Sequence, residues 1–287
     1  MSDLNHFLDQ AWTDHGDNAA AVAERLPLAL AMVQDDDGVM RLAALAHHVL
    51  GEHLAQWSQG LDLLQQLAEL GLHHAAGGAS LARCRASLRL CAGEGDERPQ
   101  LGASDRSRVG AMAAANLGAS QAEHAQALLQ QAEADATGLA DADPGVRALA
   151  ASANNLAATL QALSSLPAAQ RELMLLAAQL AQRQWRRAGG WLERERADYR
   201  LAMCWLAAGD AARALQHARQ CEAVVREQGE LPLELFFAAE ALALAAAALG
   251  QAEVLQAALC TARSSFDALP ADDKGWCQAT LDRLIAV

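Results

Sequence analysis

Apolar residues recur at three- and four-residue intervals along almost the whole chain, interrupted by short runs of Gly, Pro, Asp or Ser. That period buries one face of a helix, and the two-residue alternation of a half-buried strand is absent. The pattern predicts about 14 helices, at 3–14, 18–34, 38–51, 53–70, 78–92, 104–118, 120–139, 144–163, 168–187, 190–208, 211–228, 232–249, 252–268 and 271–286.

Several boundaries have a chemical reason. Pro144, Pro167, Pro232 and Pro270 stand near helix starts, where a missing N–H costs nothing, and Gly209 and Gly250 follow helices at positions suited to a left-handed cap. Pro27 falls inside a helical pattern, so a kink or a new start is expected there. The stretch "AGEGDERPQLGAS" at 92–104 reads as a loop. Composition does not change across it, so 1–287 is expected to form one domain with a possible junction at 92–104.

The segment "LAMCWLAAGDAARALQHARQC" at 201–221 reads as helix, tight turn, helix. Glycines taken as helix terminators at Gly51, Gly118, Gly209 and Gly250 each follow an alanine by seven residues: Ala44, Ala111, Ala202 and Ala243. Ser164 with Ala157 fits the same frame. A small side chain at that point lets two antiparallel helices approach closely.

This segment resembles a tetratricopeptide repeat (TPR). Leu201, Ala202, Trp205, Gly209, Asp210, Ala214 and Ala218 fall where that family places its large, small, aromatic, turn and packing residues. The Gly250 unit keeps Leu242 and Ala243 but has Leu255 where a small residue belongs, and Gln56 and Gly60 depart from the pattern in the Gly51 unit. Successive anchors at 51, 118, 164, 209 and 250 lie 67, 46, 45 and 41 residues apart, longer than the usual 34.

The resemblance implies an all-α fold, a right-handed superhelix of antiparallel helix pairs (a TPR-like α-solenoid), similar to helical sensor and scaffold segments common in bacteria. One pair cannot bury both its apolar faces, and stacking several makes a continuous core. The last helix would cap that stack with Trp276, Leu281 and Leu284 inward.

The resemblance also implies a concave groove, lined by the first helix of each pair, that binds an extended peptide or protein partner without catalysis. Ten residues before the anchors stand Arg41, Arg108, Asn154, Tyr199 and Glu240, and Arg196 and Phe237 join them as candidates. The bland alternative is that these are solvent-facing positions of ordinary helices. A reading of a different class is a small-ligand sensor or helical enzyme with an enclosed pocket near Asn154, Trp191, Tyr199 and Glu240.

The densest unusual segment is "RQWRRAGGWLERERADYR" at 183–200. Its arginines beside Trp185, Trp191 and Tyr199 could grip a carboxylate or phosphate. Glu193, Glu195 and Asp198 are spaced to pair with those arginines within the helix, which favours a salt-bridged face. Phe236 and Phe237 precede Glu240 by four and three residues, an apolar wall with an acid near it.

Charge narrows the partners. A net charge of −13 disfavours nucleic acid and anionic membranes, whose phosphates demand Lys and Arg. The most apolar run, 241–252, is too short to cross a bilayer, and no export signal opens the chain, so a soluble cytoplasmic monomer or homodimer is expected. Six cysteines without a C-x-x-C pair read as reduced core residues.

"HHVLGEH" places His48 and Glu52 four apart, a spacing used by helical metal sites. The turn expected at Gly51 would break that helix, so neither metal nor other cofactor is anticipated. No nucleotide-binding loop, nucleophile elbow or kinase signature occurs, and no catalytic residue is selected.

Overall fold

Several helices begin at an aspartate that satisfies one of their first N–H donors or at a proline that lacks one. Asp35 Oδ1 accepts from Gly38 N at 2.8 Å, and Asp210 Oδ1 accepts from Arg213 N at 3.0 Å. Pro144 and Pro232 are first residues of their helices, while Pro167 and Pro270 stand immediately before theirs.

A computed structural model describes residues 3–229 and 231–286. They form 13 α-helices and no strand: α1 Leu4–Ala29, α2 Asp36–Ala46, α3 Trp57–Glu69, α4 Ala75–Ala92, α5 Ala103–Leu117, α6 Ala122–Ala136, α7 Pro144–Gln161, α8 Ala168–Ala188, α9 Trp191–Ala207, α10 Ala211–Glu227, α11 Pro232–Ala248, α12 Ala252–Asp267 and α13 Ala271–Ile285. Helices adjacent in sequence pack as pairs. Among the described residues, no helix is long and apolar enough to cross a membrane.

The chain divides into two compact units, 1–149 and 150–287, with the division inside α7. The 92–104 stretch lies within the first unit and is ordered. Gly93, at φ 74°, caps α4, and Arg98 grips Asp96 through two bonds of 2.9 and 2.7 Å before a 3-10 turn at Arg98–Gln100.

In the first unit, the two helices expected at 3–14 and 18–34 share the span of α1 but are separated by a kink at Asn18, whose angles are non-helical (φ −147°, ψ 68°) and whose Oδ1 accepts from Ala21 N at 3.1 Å as the N-cap of the second. The irregularity therefore sits at Asn18 and not at Pro27, which is carried in the last turn before a 3-10 turn at Leu30–Met32.

The second correction concerns Gly51. It does not terminate a helix: α2 widens into a π-helix over His47–His53, and the chain turns only at Leu54–Gln56, where Ala55 takes φ 51°. Gly51 is there because space is short. A Cβ on it would lie 2.6 Å from Asn116 Oδ1 and 3.0 Å from a Leu88 methyl.

Around Gly51 the core carries a polar knot. His47 Nε2 is 3.1 Å from Ser87 Oγ, and Asn116 Nδ2 donates to both, each at 3.2 Å. Burial pushes the His47 imidazole down to about 4, so it is neutral at pH 7. Leu8, Val22, Leu26, Leu42, Leu45, Val49, Leu64 and Leu67 fill the surrounding interior. Each buried leucine contributes about 1.5–3 kcal/mol relative to exposure.

In the second unit the pairs are more regular. Gly209 (φ 84°) and Gly250 (φ 68°) are left-handed, as expected, with Asp210 N on Trp205 O and Gln251 N on Ala246 O, both at 2.9 Å. Helices α9, α11 and α13 also lie side by side, α9 against α11 and α11 against α13. The alanines expected at close crossings are buried at Ala111, Ala157, Ala202 and Ala243, but Ala44 is exposed because its frame was set by the mistaken anchor at Gly51.

Five cysteines are buried and free, whereas Cys260 is exposed. Leu281 and Leu284 of α13 are buried as expected, but Trp276 is 67% exposed. Its indole does not seal the end of the core. It stands at the mouth of a cavity.

Candidate functional site

Positions i, i+1 and i+4 of a helix share a face, and two neighbouring helices use that spacing in register. On α9 they are Glu195, Arg196 and Tyr199; on α11 they are Leu233, Glu234 and Phe237. With Arg200, with Asn154 from α7 and with Trp276 from α13, they line a cavity of about 400 Å³ in the second unit.

One wall is aromatic. The Phe237 ring is 5.7 Å from Tyr199, 5.2 Å from Trp276 and 5.3 Å from the fully buried Phe236. The contacts with Tyr199 and Phe236 are edge-to-face and that with Trp276 is tilted, geometries that fix ring orientation.

The opposite side is charged. Arg196 forks onto Glu234, Nη2 to Oε1 at 2.5 Å and Nε to Oε2 at 3.2 Å. Arg200 Nη1 donates to Gln161 Oε1 at 2.5 Å, while its buried Nε has no hydrogen-bond partner among the described residues. Both oxygens of Glu195, 1% exposed, also lack a hydrogen bond of good geometry among the described residues. Burial, and then the charge of Glu234, push its carboxyl up to about 8, so it is mainly protonated at pH 7.

Behind this face lies a second acid. Tyr199 Oη donates to Glu240 Oε2 at 2.9 Å, and Arg283 stands 3.7 Å from Glu240 Oε1. Burial raises the Glu240 pKa, and burial with the Glu240 charge raises that of Tyr199. The carboxylate anchors the tyrosine and, at 4% exposure, is not itself offered to a groove.

The structure thus brings Asn154, Arg196, Tyr199 and Phe237 to one cavity, with Glu240 beneath it. Arg41 and Arg108 belong to the first unit. Arg41 Nη1 donates to Asn5 Oδ1 at 2.6 Å and stands 3.6 Å from Asp37, and Arg108, half-buried, lies 4.0 Å from Asp105. Trp191 opens α9, half-buried, and does not line the cavity.

Three residues of 183–200 find their partners outside the expected helical spacing or find none: Arg196 has its carboxylate on α11, Asp198 accepts from Gln182 and lies 3.0 Å from His217, and Glu195 has no hydrogen bond of good geometry among the described residues. For Arg196 and Asp198, tertiary neighbours outcompete the i+3 and i+4 partners, because α8, α10 and α11 all pack on or beside α9.

Sequence reasoning missed Glu195, Arg200, Leu233, Glu234 and Trp276. Helical spacing held the signal for four of them. Glu195 and Arg200 flank Tyr199 by four and one residues, and Leu233 and Glu234 precede Phe237 by four and three. Comparison with protein-family models, with curated proteins and with solved structures returned no match.

Proposed function

We propose that the second unit is a non-enzymatic recognition module, a helical stack of the TPR-like kind, whose cavity takes one apolar or aromatic side chain of an extended peptide or protein segment. The observation that supports this reading is the aromatic wall of Tyr199, Phe237 and exposed Trp276 in a residue-sized space fed by α7, α9, α11 and α13. Asn154 can serve a peptide backbone as donor and acceptor together. A buried apolar anchor contributes about 1.5–3 kcal/mol, enough for selectivity at modest affinity.

The test is a displayed random-peptide library selected on the protein, with the best peptide titrated by fluorescence anisotropy. Expected is enrichment of a fixed aromatic or aliphatic residue, and a loss of about tenfold or more in affinity for Trp276→Ala and Phe237→Ala. Peptides that bind both variants as tightly as the parent would refute the assignment.

A second reading has its own support: the Glu195 carboxyl and Arg200 Nε, without a hydrogen bond of good geometry among the described residues, suit a small polar ligand better than an apolar side chain. A thermal-shift screen of metabolites would favour it if one compound raised the midpoint of the parent but not of Glu195→Ala.

A further inference from the structure

The first unit holds a cluster that belongs to no helical-repeat pattern. His15, His48 and His53 each present one ring nitrogen, and the three atoms lie within 4.8 Å of one another. Their ring centroids are 4.6 to 5.2 Å apart.

The backbone explains the convergence. In an α-helix, residues five apart diverge, but the π-helix at His47–His53 admits one more residue per turn and returns His53 to the face of His48. Their Nε2 atoms are 3.1 Å apart. His15 arrives from α1, three residues before the Asn18 kink.

Each supporting contact orients a donor. Glu52 Oε2 lies 2.7 Å from His48 Nδ1 and fixes that proton, so His48 offers Nε2 to the cluster. Trp12 O lies 2.8 Å from His15 Nδ1 and leaves the His15 Nε2 free to ligate. Carboxylate and carbonyl partners of this kind accompany histidines that ligate metals. Trp12 packs its ring 5.2 Å from both His15 and His48, an apolar flank beside the nitrogens.

We propose that His15, His48 and His53 bind one Zn²⁺ through three imidazole nitrogens, with Glu52 as the positioning carboxylate and the fourth coordination place open to water or a ligand. Tetrahedral Zn–N bonds of about 2.0–2.1 Å put nitrogens about 3.4 Å apart, so side-chain rotations close the widest gap. On binding, the proton between His48 and His53 leaves Nε2 of His53 and Nδ1 takes one up, so the imidazoles stay neutral.

The experiment is calorimetric titration of the untagged, chelator-treated full chain with Zn²⁺ alone, repeated with Co²⁺ for its visible spectrum. Expected are one ion per chain, intense tetrahedral Co²⁺ bands, and a loss of about 100-fold or more in affinity for His53→Ala and His15→Ala. Glu52→Gln should lose about 10–100-fold, as a positioning residue does. His53 is exposed, so its variant should keep the parent's circular dichroism and melting curve. A parent that binds no ion, a His53→Ala variant that binds as tightly, or loss of the ion on replacing His73 and His74 instead would overturn the proposal.

Discussion

The two units build their clusters by opposite means. In the first, His15, His48 and His53 meet because the backbone departs from the α-helix, through the Asn18 kink and the π-turn at His47–His53. In the second, Tyr199 and Phe237 meet because regular helices repeat one spacing side by side. Irregular backbone concentrates a few residues that sequence spacing keeps apart. Regular backbone spreads a surface whose chemistry is set by register.

Replacing the residue that permits the π-turn should break this contrast most severely. In Gly51→Ala the new methyl would press on Asn116, whose amide is already committed to Ser87 and His47. We expect a loss of about 2–3 kcal/mol by urea unfolding, together with loss of Zn²⁺ affinity. Parent stability in Gly51→Ala would show that the packing around the turn is slack.

The second unit should respond to pH through Glu195. Burial first, then Glu234 and Asp198, raise its pKa, and Arg196 lowers it, leaving about 8 in the fold against an ordinary 4.5. Between those values the folded chain binds more protons than the unfolded one. Stability is therefore full below about pH 4.5 and falls as pH rises toward 8. Glu195→Gln should remove that slope and exceed the parent by on the order of 5 kcal/mol at pH 9. Identical pH profiles for the two proteins would mean that water reaches the carboxyl.

A smaller effect sharpens the comparison of turns. Gly209→Ala places a methyl at φ 84°, where nothing lies within 4 Å to clash. The cost is conformational alone, about 1 kcal/mol, and should appear as a shifted urea midpoint with an unchanged slope. A loss as large as that at Gly51 would mean that the hairpin, and not the residue, had changed.

Much of the helical layout was legible because helix starts and stops are local events. Pro144, Pro232, Asp210, Gly209 and Gly250 announced their turns by the backbone angles or donors they supply. Gly51 misled because a glycine looks the same whether it permits a left-handed turn or clears space for a neighbour. Trp276 misled because an aromatic at helical spacing reads as core, while only the neighbouring Phe237 decides that it stands exposed against a cavity.

The chain's own pattern determined the helices, their pairing through tight turns, and the face of α9 and α11 from which the second cluster is drawn. These depend on hydrogen bonds and dihedral angles within a few residues. Tertiary structure alone decided that Arg196 would choose Glu234, that Glu195 would lie buried without a hydrogen bond of good geometry among the described residues, and that His15 would meet two histidines more than thirty residues away. Those outcomes depend on packing between distant segments, where competition for space and for desolvated partners leaves no mark at fixed sequence spacing.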